Sequence, residues 1–547
     1  MLGRVGLLWR TLRYLQPVQI FGRVYFRMMR PRPNFLPGPR PRAGRGPYRD
    51  VARRSARMLG PTKWRFLNED GELTEIGWQN DQRSKLWRYN QHYFDDLNAE
   101  AGQDRLGWHM DLVAIWIKQN PAAHGQGWEP YPTSLRIVNW VKWTCAGQTL
   151  TPDMMHSLAV QTRWLTKRLE WHLLGNHLFA NAKALVHAGL FFEGPEAEKW
   201  LEKGLAILAK ELPEQILSDG GQFELTPMYH ALALEDLLDL VNIASAYPEA
   251  FAAPARSIQV DHWRQTIPAM LRWLLAMSHP DGRIALFSDA AFDIAPSNTA
   301  LYDYASRLGF ARPVIDEEGI LDLPASGFSR LAKGSAVLLA DLARIGPDYL
   351  PGHGHADTLS FELSVYGQRV FVNSGTSVYG LGQERQRQRG TPAHNTVTVN
   401  GANSSEVWSG FRVGARARIL DRRVVQDDNV LLASASHDGY GRVVTGLKHK
   451  RDFRLTTRSL TINDQISRPA QAEARFHLHP AVKATLSSKA EGHLLLPDGQ
   501  KLSFRVEPGA LRLEPATWHP EFGISQDTHC LVAALDDQHI CLTLEWP

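Results

Sequence analysis

The chain has 547 residues, 44% of them hydrophobic, 22% charged and 10% aromatic, which excludes a disordered polymer, a collagen-like fibre and a disulfide-built miniprotein. At roughly 150 residues per domain this length predicts two to four domains with well-buried cores. The net charge is +4, but eleven Arg and one Asp fall within residues 1–50, so only the N-terminal arm is basic and no nucleic-acid partner is expected. Cys145, Cys530 and Cys541 are too scattered for a disulfide framework or a thiolate metal site and read as buried small hydrophobes.

At the N-terminus, MLGRVGLLWRTLRYLQPVQIFGRVYFRMMR breaks every apolar stretch with Arg before it reaches the length of a signal h-region. No run approaches the ~18 apolar residues of a membrane span. The reading is therefore a cytoplasmic or membrane-peripheral location ahead of secretion. Leu8, Leu12, Leu15 and Ile20 share the apolar side of a basic amphipathic helix, which either packs on the body of the protein, the preferred reading, or lies on an anionic membrane surface. Residues 31–50 are rich in Pro, Gly and Arg and read as a linker or wrapping arm.

From Leu106 the apolar spacing predicts helices near 106–118, 134–146, 153–173, 176–192, 196–211, 227–246 and 258–277. After about Gly327, segments such as AVLLADLA, TLSFELSVYGQRVFVN and FRLTTRSLTIND run or alternate with strand period. The expected layout is multidomain, α then β: an arm over 1–50, a helical domain over 51–325 and an antiparallel β-sandwich over 326–547. No Gly-rich loop follows a strand and no βαβ alternation appears, so nucleotide chemistry has no support.

Seventeen Trp are present, many in the helical half. Indole faces stack on sugar rings, so Trp128 and Trp140 are candidate saccharide platforms, against the alternative of core packing. Arg136, with Asn139, Trp140 and Trp143 on one helix face, suits a carboxylate or sulfate, or equally a structural ion pair. Asn176 and His177 open a helix after Gly175; Asn176 is either its cap or a donor to a charged oxygen. Thr226 and Pro227 read as cap and first residue of another helix, which puts Tyr229 in the first turn where the helix dipole favours phenolate. In GHGHADTLSFELSV, Leu359, Phe361, Leu363 and Val365 set one face, and His353, His355 and Asp357 join it if the strand extends backward. Such polar groups bond one another or serve a metal or substrate, and His394 opens the next strand nearby.

Together Asn176 in GNHLFANAKAL, Tyr229 in FELTPMYH, His353 and His355 in GHGHAD, Asn373 in VFVNSGT and His394 in AHNTV resemble the heparinase II/III family of polysaccharide lyases over roughly residues 80–420. The resemblance implies an incomplete α/α toroid followed by a β-sandwich-like domain, with a cleft between them. It implies β-elimination at a uronate residue of an acidic polysaccharide, with Asn176 neutralising the carboxylate and Tyr229 and His353 moving protons; apart from the resemblance, the residues themselves make Arg136, Trp128, Trp140 and His177 the candidate substrate contacts. The resemblance further implies a structural divalent metal, usually zinc, on His355 and His394. Where many relatives carry Asp as third ligand this chain has Asn373, a weaker donor, with Asp357 or water as substitutes. The basic arm suggests work near a membrane in exopolysaccharide production or turnover. Two other readings stay open: a toroid hydrolase using Glu129, Asp219 or Glu224, and a glycan-binding protein without turnover.

Overall fold

The computed structural model describes residues 2–43, 46–427 and 429–547. The arm folds as two helices, α1 (Leu2–Leu12) and α2 (Pro17–Met28). One continuous helix is ruled out because Pro17 disfavours helical backbone at the residue before it. A small antiparallel sheet not expected from the sequence follows, β1 (Met58–Gly60), β2 (Lys63–Phe66) and β3 (Glu69–Glu72), then α3 (Leu73–Ile76) and α4 (Lys85–Tyr93).

The helical domain continues with α5 (Leu106–Gln119), α6 (Pro130–Cys145), α7 (Pro152–Thr166), α8 (Gly175–Phe191), α9 (Pro195–Gln215), α10 (Pro227–Ala246), α11 (Pro254–Ala276) and α12 (Asn298–Arg307). α6, α7, α9, α10 and α11 each begin on Pro, whose missing N–H is unneeded in the first turn and whose φ is already helical. α8 is buried on nearly every side, as a helix surrounded by others must be. These helices form an incomplete α/α toroid around an apolar core that includes Trp116, Trp140, Leu185 and Leu238. α7 is shorter than the spacing suggests and stops at Thr166. The backbone N–H of Glu170 is instead captured by the Asn181 side chain at 2.8 Å, and the turn it fixes leads into α8.

The β domain starts at Gly319, earlier than expected. A five-stranded antiparallel sheet runs in sequence order: β4 (Gly319–Leu323), β5 (Phe328–Lys333), β6 (Ala336–Asp341), β7 (Phe361–Val365) and β8 (Gln368–Phe371). α13 (Gln383–Arg389), β9 (Val397–Val399), β10 (Val407–Trp408) and β11 (Arg412–Val413) follow. Next come β12 (Ile419–Asp427), β13 (Val430–His437), β14 (His449–Leu455), β15 (Ser459–Ile466), β16 (Ala472–His477), β17 (Lys483–Leu486), β18 (Glu491–Leu495), β19 (Lys501–Glu507), β20 (Leu511–Trp518), β21 (Gln526–Ala534) and β22 (His539–Glu545). They build an eight-stranded sheet ordered β12-β13-β14-β15-β22-β19-β18-β17 and a four-stranded sheet ordered β20-β21-β16-β9.

One face of the five-stranded sheet, through Leu338, Phe361 and Leu363, meets Phe453, Ile462 and Phe476 of the other two sheets. Its opposite face, through Phe328, Val337 and Leu339, packs on Leu225, Trp273 and Phe287 of the helical side. Burial on both faces is why AVLLAD runs apolar instead of alternating. It also explains the polar residues within β7: Glu362 and Ser364 are fully buried and bind His279 at 2.7 Å each. Glu362 also accepts from the backbone N–H groups of Leu286 and Asn373, both at 3.0 Å. The loop between α11 and α12 is thereby locked onto the β domain.

Candidate active site

A cleft of about 1000 Å³ lies between the two domains, walled by Asn176, His177, Glu224 and Tyr229 from the helical side and by His353 and Tyr379 from the β side. Each side chain owes its place to a local feature of the chain. Gly175 opens α8 at φ +53°, a backbone conformation that favours glycine, and a Cβ there would lie 2.4 Å from Leu350 Cδ2 and displace that side chain. The capping position belongs to Leu174 and not to Asn176. The Asn176 backbone N–H donates to Glu224, and its side chain has no protein partner among the described residues, which leaves the amide available to the cleft.

Thr226 caps α10 as expected, its hydroxyl accepting from Tyr229 N at 3.2 Å. The Tyr229 ring stacks on the His353 ring with centroids 4.0 Å apart, and its hydroxyl lies 3.2 Å from that of Tyr379. Burial, reinforced by the neighbouring Tyr379, raises the Tyr229 phenol well above its ordinary pKa of 10. Desolvation therefore outweighs the pull of the helix dipole toward phenolate, and the resting phenol keeps its proton.

The GHGHAD segment is a loop and not a backward extension of β7, because Leu359 adopts φ +64° and ends the strand. His353 and His355 nevertheless converge, on a residue absent from the sequence reading. Asp289 accepts from His353 Nδ1 through one oxygen at 2.9 Å and from His355 Nε2 through the other at 2.8 Å. Arg385 of α13 grips both oxygens, with Nη2 at 2.7 Å, and its guanidinium lies beside the Tyr379 and Phe411 rings, 4.9 and 5.1 Å from their centroids. Burial alone would raise the Asp289 pKa, but Arg385 and the two imidazoles hold it well below the usual carboxylate range. Asp289 also donates its N–H to His353 O and accepts from Thr226 Oγ1 through its carbonyl, both at 3.0 Å. One residue thus ties His353, His355 and the cap of the Tyr229 helix together. On the other side of the imidazole, His353 Nε2 is 3.7 Å from Glu224, whose pKa burial raises.

His355, Asp357 and His394 form a buried trio with ligand atoms all within 4.8 Å of one another. His355 Nδ1 and His394 Nε2 are buried without hydrogen-bond partners. Burial lowers His355 to about 4 and His394 to about 3, so both imidazoles are neutral, the form that binds metal. The donor set suits a divalent cation such as zinc, and Asp289 behind His355 is the carboxylate support that metal-bound histidines commonly have. Asn373, the expected third ligand, faces the Nδ1 side of the His394 ring, away from its unpartnered Nε2. Its Oδ1 faces His394 Nδ1 at 3.3 Å, orienting that ring, while Asp357 stands with the two histidines.

Three expected substrate contacts are elsewhere. Arg136 has 0% exposure and is used up by Gln161 Oε1 at 2.8 Å, His92 O at 3.1 Å and the Trp116 ring at 3.8 Å. Trp128 and Trp140 belong to the same aromatic core. The regular three- and four-residue spacing that grouped these residues is the signature of a core-facing stripe as much as of a binding face. His177 does line the cleft, with Nδ1 3.2 Å from Glu170 Oε1; burial opposes its charge, but Glu170 prevails and raises its pKa. Of the three carboxylates considered for a hydrolase, only Glu224 reaches the cleft. Glu129 pairs with Lys85 at 2.8 Å and Asp219 binds Ser326 Oγ at 2.9 Å. Tyr379 and Arg385 had one sequence signal, their position just beyond the VFVNSGT stretch; Asp289 had none.

A toroid, a sandwich and a stacked Tyr–His pair in the cleft at their junction define a two-domain architecture. The chain belongs to the heparinase II/III family: residues 64–307 match the "Heparinase II/III N-terminus" and residues 316–539 match "Heparinase II/III-like, C-terminal". It is 31% identical over 255 residues to a "Heparin-sulfate lyase" of Bacteroides stercoris, covering 43% of this chain and 37% of that protein. A "Heparin-sulfate lyase" of Pedobacter heparinus is 24% identical over 333 residues, covering 53% and 47%. The chain therefore spans less than half the length of these two relatives. A solved structure titled "Crystal Structure of Heparinase III" superposes with a TM-score of 0.67 at 18% identity, covering 86% of this chain and 79% of that one.

Proposed function

We propose that this protein is a polysaccharide lyase, a carbon–oxygen lyase that cleaves a uronate-containing acidic polysaccharide by β-elimination. The observation that carries the reading is the stack of a protonated phenol, Tyr229, on an imidazole, His353, that is anchored at Nδ1 and faces an interdomain cleft. The two relatives named heparin-sulfate lyases favour a sulfated, uronate-bearing glycosaminoglycan as the substrate class. The cleft wall agrees with an acidic polymer: Arg23, Arg88 and Arg412 line it and make no ion pair among the described residues.

In this reading the Asn176 amide hydrogen-bonds the uronate carboxylate, which makes the C5 proton more acidic. His353 Nε2, with Nδ1 occupied by Asp289, takes that proton. The C5–H electrons form the C4–C5 double bond, the C4–O4 bond breaks, and the Tyr229 phenol protonates the departing O4. No water is consumed. Glu224 beside Nε2 stabilises the imidazolium that forms. Incubating the purified protein with a panel of uronate polymers tests this directly. Elimination gives a rising ultraviolet absorbance from the conjugated unsaturated uronate; new reducing ends without that chromophore indicate hydrolysis and refute the proposal.

His355, His394 and Asp357 would hold a structural zinc, which cross-links two loops of the β domain and takes no part in proton transfer. Elemental analysis of the protein is expected to find about one zinc per chain, and His394→Ala is expected to lose it and melt at a lower temperature. Equal metal content in both proteins removes this site.

A further inference from the structure

The arm presents its apolar side outward. α2 turns Gln19, Gly22 and Phe26 to the body: Gln19 donates to Tyr349 O at 3.2 Å, Gly22 abuts the His172 backbone, and the Phe26 ring packs on His172 at 4.3 Å and under Arg168 at 3.5 Å. The rest of its circumference carries Val18, Ile20, Phe21, Val24, Tyr25 and Met28, all exposed, with Phe21 at 73% and Met28 at 76%. α1 adds exposed Val5, Leu8, Trp9 and Leu12. The helices are held firmly in this orientation. Arg10 pairs with Glu406 at 2.7 Å, Trp408 donates to Thr11 Oγ1 at 3.1 Å, and Arg168 donates to the carbonyls of Phe26 and Met29, both at 2.7 Å. Exposed apolar residues clustered in this way mark an interaction site.

The charge identifies what covers it. Arg13, Arg23, Arg27 and Arg30 are exposed beside the apolar residues and make no ion pair among the described residues. The first acidic residue of the sequence is Asp50, and the chain beyond it is net acidic. A surface that is apolar with Trp, Tyr and Phe, bordered by unpaired guanidinium groups, matches the headgroup–acyl boundary of an anionic bilayer. At 11 and 12 residues, α1 and α2 lie on such a surface without crossing it, and among the described residues no helix is long and apolar enough to span a membrane.

We propose that the outer face of α1 and α2 docks this protein on an anionic lipid surface. Leu12, Leu15, Gln19 and Arg23 also line the cleft, so docking brings the cleft mouth to the bilayer and favours polymer delivered there. The net acidic body is repelled from the same surface, which orients the molecule arm-first.

The test is co-sedimentation of the full chain with vesicles of phosphatidylcholine alone or mixed with phosphatidylglycerol. Binding is expected only with phosphatidylglycerol, falling several-fold as salt rises from about 0.05 to about 0.5 M. Arg23→Gln with Arg27→Gln is expected to weaken it by about 5-fold per charge removed, and Phe21→Ser, Val24→Ser and Met28→Ser together to abolish it, with melting curves like the parent's. Absence of binding to phosphatidylglycerol vesicles overturns the proposal, whatever the variants do. So does equal binding to both vesicle types, or a lipid-free dimer that the triple variant dissolves, which assigns the face to a second copy of the chain.

Discussion

Tyr229→Phe is expected to lower turnover by about 10³-fold, within the range of a lost general acid, while polymer affinity measured by calorimetry stays close to that of the parent. The substitution keeps the ring against His353 and removes only the hydroxyl that reaches Tyr379. The lost hydrogen bond costs about 1 kcal/mol, too little to unfold the chain and too little to explain such a rate loss by misfolding. The reason for the large kinetic effect is that burial keeps this phenol protonated, so the proton needed by the leaving O4 is in place before substrate arrives. A glycan-binding protein without turnover makes the opposite prediction, because binding a sugar requires neither this proton nor the imidazole beneath it. A parent-like initial rate in Tyr229→Phe, read by ultraviolet absorbance, removes Tyr229 from the chemistry.

Asp289→Ala is expected to destabilise the fold by about 3–5 kcal/mol, the usual result of leaving one member of a buried ion pair alone. Arg385 is fully buried and has Asp289 as its carboxylate partner, and His353 and His355 lose their acceptor at the same time. Asp289→Asn keeps the volume and part of the hydrogen bonding, so it separates positioning from folding. There kcat is expected to fall by about 10²-fold through misplacement of His353, with KM little changed, and zinc affinity to fall by about 10- to 100-fold through His355. A purely structural Asp289 would lower stability and leave kcat unchanged in the molecules that remain folded. The pH dependence has a definite sign. Because the native pKa of Asp289 is depressed, its stabilisation is complete above about pH 4, the ordinary Asp value, and is lost as pH falls through the lowered native value.

Much of this protein was legible in local pattern. The Thr226–Pro227 cap, the helices from Leu106 to Ala276 and the strand rhythm beyond about Gly327 follow from spacing, capping chemistry and β-rich segments, all of which act between residues close in sequence. Arg136, Trp128 and Trp140 show the limit of such reasoning. The spacing places them on one face of α6 and its approach, but whether that face meets solvent, sugar or neighbouring helices depends on the packing of α4, α5 and α7 around it.

The sequence by itself determined the order of a helical and a β domain, the basic character of the arm, and the candidate amide, phenol and imidazole groups that the fold gathers at the cleft and beside it. Only the tertiary structure decided that Asp289 and Arg385, 96 residues apart, meet between His353 and His355. It likewise brought Asp357 together with His355 and His394 and turned the arm's apolar face outward. The physical reason is range. Periodicity and capping are set within a few residues of chain, whereas burial, desolvation and charge pairing depend on which distant segments the fold brings within a few ångströms of one another.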